Sequence, residues 1–224
     1  MSQPILGSFP TFTNPTPGGS TSTTAHTQDS GSDRGLLVSI TLGSSISVLS
    51  VTYNGVAMTE ISTGVATGIS QRFHTFFLED PATGTNNIVV TYSANQWSPI
   101  SLAAYSFTNC GGSGDTDIVL VAADPATMSL SCSDDSLVFA RGQAYQAAGN
   151  PAITIDGTGY NAANCDFQHN TNSQAWGKLG TNTVAAGTIA VLADCTTGGS
   201  VGQAIEILGV TAPVTGRRRI MMVS

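Results

Sequence analysis

Charge is the first thing this chain lacks. Of its 224 residues, 9% are Asp, Glu, Lys or Arg, against about 25% in typical soluble domains. Seven are basic and fourteen acidic, so the net charge is −7. An acidic body repels phosphate backbones, which argues against direct nucleic-acid binding. Disordered chains combine low hydrophobicity with high net charge. Here 41% of residues are hydrophobic, so the chain is expected to fold. Long apolar runs are missing too. Nothing approaches the roughly 20 residues that span a bilayer, and no membrane role is expected. Met1 is followed by SQPILGSFPTF, with neither the basic nor the apolar region of a signal peptide. The expectation is a soluble protein made in a cytoplasm.

Reaction signatures are also missing. The cysteines, Cys110, Cys132, Cys165 and Cys195, include no C-x-x-C pair, whereas a zinc site ordinarily shows one. Buried free thiols are expected, with one or two disulfides as the alternative in an oxidising setting. The histidines are His26, His74 and His169, and no G-x-S-x-G accompanies them, so a Ser-His-Asp hydrolase has no presented nucleophile. Glu60, Glu79 and Glu206 are candidates for a glycosidase pair, but Glu79-Asp80 sits at a strand-to-turn junction where solvated carboxylates are ordinary. GGSG at 111–114 lacks the helix and the Lys of a phosphate loop. Asp115, Asp117, Asp156 and Asn161 lie in oxygen-rich loops suited to calcium, yet neither loop matches D-x-[DN]-x-[DN]-G. No enzyme activity, cofactor or metal is expected. Among the aromatics, 7% in all, Trp97 in NQWSP is the candidate for stacking on a sugar ring, and Trp176 reads as packing.

What is present is strand after strand. In GLLVSITL, Leu36, Val38, Ile40 and Leu42 fall on one face at period two. In SVLSVTYNGVAMTEI, Leu49, Val51 and Tyr53 alternate, Asn54-Gly55 supplies a type I′ turn, and Val56 and Met58 continue beyond it. QRFHTFFLE, NNIVVTY, PISLAAYSFT, DIVLVA, SLVFARGQA, AITI, SQAWGKL, GTIAVLA and GQAIEILGV follow, with NCGGSGD (109–115) as a loop between halves. No segment shows capped helical periodicity. Eleven to twelve strands at this spacing predict an all-β antiparallel sandwich, jelly-roll-like, over residues 31–210. Two small sandwiches joined near 109–116 are the alternative. SDRGLLV (32–38) echoes SDDSLVF (133–139), and DPAT occurs twice, but in a different order, so a duplication is not assumed.

Both ends are unlike the body. Residues 1–30, rich in Pro, Gly, Ser and Thr, read as a flexible arm whose opening carries Ile5, Leu6, Phe9 and Phe12 as apolar anchors. Residues 211–224 read as a docking tail, in which Arg217, Arg218 and Arg219, three of only seven basic residues, precede Ile220, Met221, Met222 and Val223. Arg with Met and Ile is interface composition. A short extended segment of this kind adds a strand to an open sheet edge. An acidic body makes another copy of the same chain a natural partner.

The run GSDRGLLVSITL, VTYNGVAMTEI, FHTFFLEDPATGTNNIVVTYS and ISLAAYSFTNC, over roughly residues 30–110, resembles a jelly-roll module of tailed-phage virion structural proteins and of some bacterial surface proteins. The matching elements are Asp33–Val38, Val51–Gly55, Leu78–Thr91 and Ala104–Phe107; the second half matches in style only. The resemblance implies a β-sandwich placed on a virion as decoration, head-fibre or tail-associated protein, and it carries no catalytic residues. The expectation is therefore a capsid decoration or cement protein, made in the host cytoplasm. It would form a homo-oligomer, a trimer among the options, and contact other virion proteins such as the major capsid protein through its two ends. A tail-fibre module that binds a glycan or receptor through Trp97 is the alternative.

Overall fold

The computed structural model describes residues 3–7, 10–13, 19–66, 70–95, 101–123, 125–145, 152–161, 166–170, 173–180, 183–194 and 200–210. Among these, every regular element is a β-strand and every pairing is antiparallel. The first half holds β1 (Ile5–Leu6), β2 (Thr11–Thr13), β3 (Thr21–Gln28), β4 (Gly35–Gly43), β5 (Val48–Tyr53), β6 (Val56–Ala57), β7 (Thr59–Ala66), β8 (Gln71–Glu79), β9 (Gly84–Tyr92) and β10 (Ser101–Thr108). The second holds β11 (Cys110–Ala123), β12 (Ala126–Cys132), β13 (Leu137–Tyr145), β14 (Ala152–Ile155), β15 (Thr158–Asn161), β16 (Phe167–Asn170), β17 (Ser173–Leu179), β18 (Gly187–Asp194) and β19 (Ser200–Gly209).

The strands form four sheets. In the first half, β1 and β2 lie along one side of β10, which continues to β4, β8 and β7, and the facing sheet runs β3-β9-β5-β6. In the second, β11-β19-β13-β17-β16 faces β12-β18-β14-β15. If β1 with β2 counts as one interrupted strand, both halves have the same connectivity. It is the two-sheet strand exchange of a jelly roll, with β7 and β16 as matching additions at one edge. The chain passes from one half to the other at Asn109-Cys110.

Three apolar layers hold the sheets in a stack. Leu36, Val38, Ile40, Val51, Tyr53, Ile88 and Val90 fill the first jelly roll, and Met128, Leu130, Val138, Ile153 and Val191 fill the second. Between them, Leu37, Phe77, Tyr105 and Phe107 of the β4-β8-β10 sheet pack on Leu137, Phe139, Leu179, Ile205 and Ile207 of the β13-β17-β19 sheet. This middle layer is why GLLVSITL is buried along both faces, although its period-two pattern accounts for only one. Ser39 and Thr41 occupy second-face positions among the larger apolar ones, and they mark a polar patch in the middle layer. There Arg141 is fully buried, donates to Ser39 Oγ at 2.8 Å and to Ser101 Oγ, and lies 5.8 Å from the centre of the Phe73 ring. Thr75 Oγ1 donates to Gln203 Oε1 at 2.6 Å alongside.

The halves are related residue by residue. Asp33 and Asp135 open equivalent strands and both adopt a left-handed backbone, with φ of 49° and 62°. The Asn54-Gly55 turn (φ 49° and 78°) between β5 and β6 is matched by Asp156-Gly157 (φ 47° and 75°) between β14 and β15. Both pairs are 102 positions apart. The SDRGLLV and SDDSLVF echo thus marks equivalent turns, displaced by one residue. The two DPAT segments are not equivalent, since one joins β8 to β9 and the other joins β11 to β12.

Three expectations change. Thr21–Gln28, read as part of a flexible arm, is a strand paired with β9 along its whole length, from Thr21 opposite Thr91 to Gln28 opposite Gly84. Its inward residues at the rim are polar, with His26 and Gln28 buried, so no apolar alternation announces it. The loop expected at 109–115 is mostly the start of β11, which pairs with β19 through register shifts after Cys110 and Ser113. Glycine makes the approach possible: a Cβ on Gly111 would lie 2.5 Å from the Gly209 carbonyl oxygen. Leu49 does not share the face of Val51 and Tyr53. A bulge between Val48 and Ser50 turns it out, and it is 66% exposed.

Candidate interaction site at the acidic end

In an antiparallel sandwich alternate turns gather at one end. Here that end collects the turns before β4, after β8 and before β13, together with the junction of β10 and β11 and the end of β19, as the registers Gly35↔Glu79, Gly35↔Phe107 and Cys110↔Gly209 require. Those turns are where the sequence places its acids: Asp33 and Arg34 in SDRG, Glu79 and Asp80 in LEDP, Asp134 and Asp135 in SDDS. Between the two jelly rolls at this end lies a cleft of about 520 Å³. Asp33, Glu79 and Asp80 line it from the first half, and Gly111, Ser133 and Leu208–Val210 line it from the second.

The charges in the cleft are unbalanced. Arg34 is committed: it pairs with Asp80 at 2.6 Å and donates to the carbonyl oxygens of Pro81 and Gly31. Asp33 and Glu79 are exposed and form no ion pair among the described residues. Cys110 also lines the cleft, and burial, with Glu79 and Asp33 adding to it, pushes its thiol up to about 11. Cys132 is raised to about 12, first by burial and then by Glu206, Asp115 and Asp156. Both are free, buried thiols and stay protonated at neutral pH. Cys165 and Cys195 lie outside the described residues.

Three further acids serve the fold. Glu206, 2% exposed, accepts from the backbone N–H of Asp115 and Ser133 and from the Ser136 hydroxyl. The calcium candidates Asp115 and Asp117 are occupied in the same way. Asp115 accepts from the Thr116 and Ser131 amides, and Asp117 from those of Ile118 and Ser129. Among the described residues no group of three or more His, Cys, Asp or Glu side chains is placed to hold a metal ion.

Two histidine clusters lie elsewhere. His26 links the two sheets of the first jelly roll, with Nδ1 2.8 Å from Thr11 Oγ1 and Nε2 2.8 Å from Ser106 Oγ. Ser106 in turn donates to the Thr27 carbonyl. The Ser–His contact resembles half a hydrolytic site, but Ser106 and His26 are each 1% exposed. Burial lowers the His26 pKa to about 4. His74 receives the Val48 N–H at Nε2, so its Nδ1 carries the proton and donates to Glu60 Oε1 at 2.5 Å. Burial lowers its pKa as well, against the opposing pull of Glu60.

Of the residues singled out in the sequence, Ile5 and Leu6 are exposed on β1 and belong to the acidic end, because Ile5 stands opposite Thr108. Phe12 is 37% exposed on β2, its ring edge-on to Tyr105 at 5.6 Å. Phe9, Trp97 and Arg217, Arg218, Arg219, Ile220, Met221 and Met222 lie outside the described residues. The acidic cleft was missed in the sequence, although the signal was there: acids in alternate turns of a meandering sandwich share an end. Comparison with family models, with curated proteins and with solved structures finds no match.

Proposed function

We propose that this chain is a non-enzymatic structural protein of a phage virion, a capsid decoration or cement protein that self-associates and docks on other virion proteins through its two ends. One observation carries this reading. The start of β1 and the end of β19 leave the same end of the stack, and that end bears exposed Ile5 and Leu6 beside an acidic cleft. The segment that continues from Val210 is basic and then apolar. The jelly roll recurs in viral capsid proteins, as it does in proteins of other functions; with the resemblance of residues 30–110, this supports the virion reading by analogy. The test compares the solution mass of the full chain with that of chains lacking residues 211–224 or 1–13, by light scattering. A defined oligomer that dissociates on truncation supports the proposal. An unchanged mass in every form refutes it.

A second reading, a glycan-binding module, is favoured by a depression of about 430 Å³ at the β5–β6 hairpin. It is lined by Thr52, Asn54, Thr85, Asn86 and Asn87, uncharged amides and hydroxyls that match the hydroxyls of a neutral sugar. Loss of glycan retention in Asn87→Ala would support it, and retention unchanged in both Asn87→Ala and Trp97→Ala would refute it.

A further inference from the structure

We infer that the cleft between the two jelly rolls receives the Arg217–Arg219 segment of a second copy, so that two copies exchange tails end to end. This rests on the assembly reading above and names the surface that reading leaves open.

The argument starts from where the chain goes. Val210 forms part of the cleft wall, and Arg217 is seven residues further on. At about 3.4 Å per extended residue, the first arginine reaches up to ~24 Å beyond the end of the stack. Gly209 pairs with Cys110 at the acidic end of the sheet, so the tail starts from that end. That reach is long enough to cross to the cleft of a partner placed end to end.

Charge then selects the occupant. Asp80 is neutralised by Arg34, which leaves the Asp33 and Glu79 carboxylates for an incoming cation. Three adjacent arginines are the densest positive charge in this chain, and guanidinium groups bind carboxylates in two-pronged fashion. The apolar residues after them have a counterpart as well. Ile5 is 54% and Leu6 41% exposed on the strand beside Thr108, two residues before Cys110 of the cleft. An arginine run followed by Ile220 and Met221 meets carboxylates and then aliphatic surface.

Symmetry follows from placement. Donor tail and acceptor cleft are at the same end, so a two-fold axis just beyond that end fills both clefts at once. The contact is self-complementary and closes as a dimer rather than growing into a filament.

The experiment is sedimentation equilibrium of the full chain, of Arg217→Glu/Arg218→Glu/Arg219→Glu, and of Asp33→Asn/Glu79→Lys. Asn tolerates the left-handed backbone at position 33, and Glu79 is exposed. The expected result is a dimer for the full chain, weakened at least tenfold in each variant and by added salt, with association restored when the two variants are mixed. Restoration also demonstrates that both variants are folded. If removal of residues 211–224 dissociates the oligomer but the cleft variant does not, the tail docks elsewhere: this inference falls and the assembly reading stands. If the full chain and the truncated chain are both monomers, both fall. A monomer whose tail resists protease until Glu79 is changed places the tail in its own cleft and overturns the exchange.

Discussion

His26 shows how much one buried side chain sets at the residue scale. Its pKa is about 4 in the folded protein against 6.5 in a free chain. Between those values the unfolded chain takes up a proton that the folded one refuses. The stability from His26 is therefore complete above pH 6.5 and declines as pH falls towards 4, by about 3 kcal/mol in all. Urea unfolding of the native protein and of His26→Gln between pH 7 and 4 checks this: the native protein is expected to lose stability more steeply over that window. His74 shifts in the same direction and adds to the slope in both proteins. Glu206 is the second such residue. Glu206→Ala strands three donors and is expected to cost about 3 kcal/mol or more, with Glu206→Gln milder because one oxygen still accepts. A Cβ on Gly114 falls inside the Glu206 carboxylate, so Gly114→Ala is expected to approach the cost of Glu206→Ala in the same denaturation assay. Neither role is legible in the sequence, because a buried glutamate and a surface one look alike until the fold brings β11, β13 and β19 together.

At the scale of the element, legibility follows whether the inward residues are apolar. Strands with apolar alternation, such as β4, β9, β10 and β19, stand where the sequence places them, and the Asn54-Gly55 hairpin forms the expected turn. Strands whose inward residues are polar, such as TSTTAHTQ, give no such signal. β3 is nevertheless a full partner of β9, and that predicts an asymmetry in truncation. Removal of residues 1–13 takes away two short edge strands and leaves a folded protein with reduced stability. Removal of 1–30 exposes the edge of β9 and takes away His26, and is expected to abolish cooperative folding. Circular dichroism melts of the two deletions separate the outcomes. The bulge at Leu49 was beyond reading for another reason: one inserted residue reverses the faces, and no residue type marks it.

Across the whole molecule, the middle apolar layer joins two jelly rolls that share no sheet, and one calorimetric unfolding transition is expected rather than two. Phe139→Ala, which opens a cavity in that layer, should lower the single transition as a unit, by about 3–5 kcal/mol. The buried cation beside it predicts a ranked series. Arg141→Ala loses both packing and the hydrogen bonds to Ser39 and Ser101, and should cost about 3–5 kcal/mol, whereas Arg141→Met keeps the volume and should cost clearly less. Both are read from chemical denaturation. The jelly-roll class was legible from strand spacing, and two sandwiches joined near 109–116 stood as the alternative, but their face-to-face stacking was not legible, since an inward face and a face covered by another sandwich have the same composition. Arg141 also bears on how the halves are related. Counted from the paired turns, it stands 102 residues after Ser39 and is its counterpart, and the two are bonded to each other at 2.8 Å. Counterparts that touch lie at the axis relating the two halves, as they do in an isologous interface. The two jelly rolls thus meet as the subunits of a symmetric dimer would, within a single polypeptide. A true dimer would have to set arginine against arginine or serine against serine there. A single chain frees the two faces from being identical, and it keeps them together at any dilution, because one junction residue, Asn109, links the two halves.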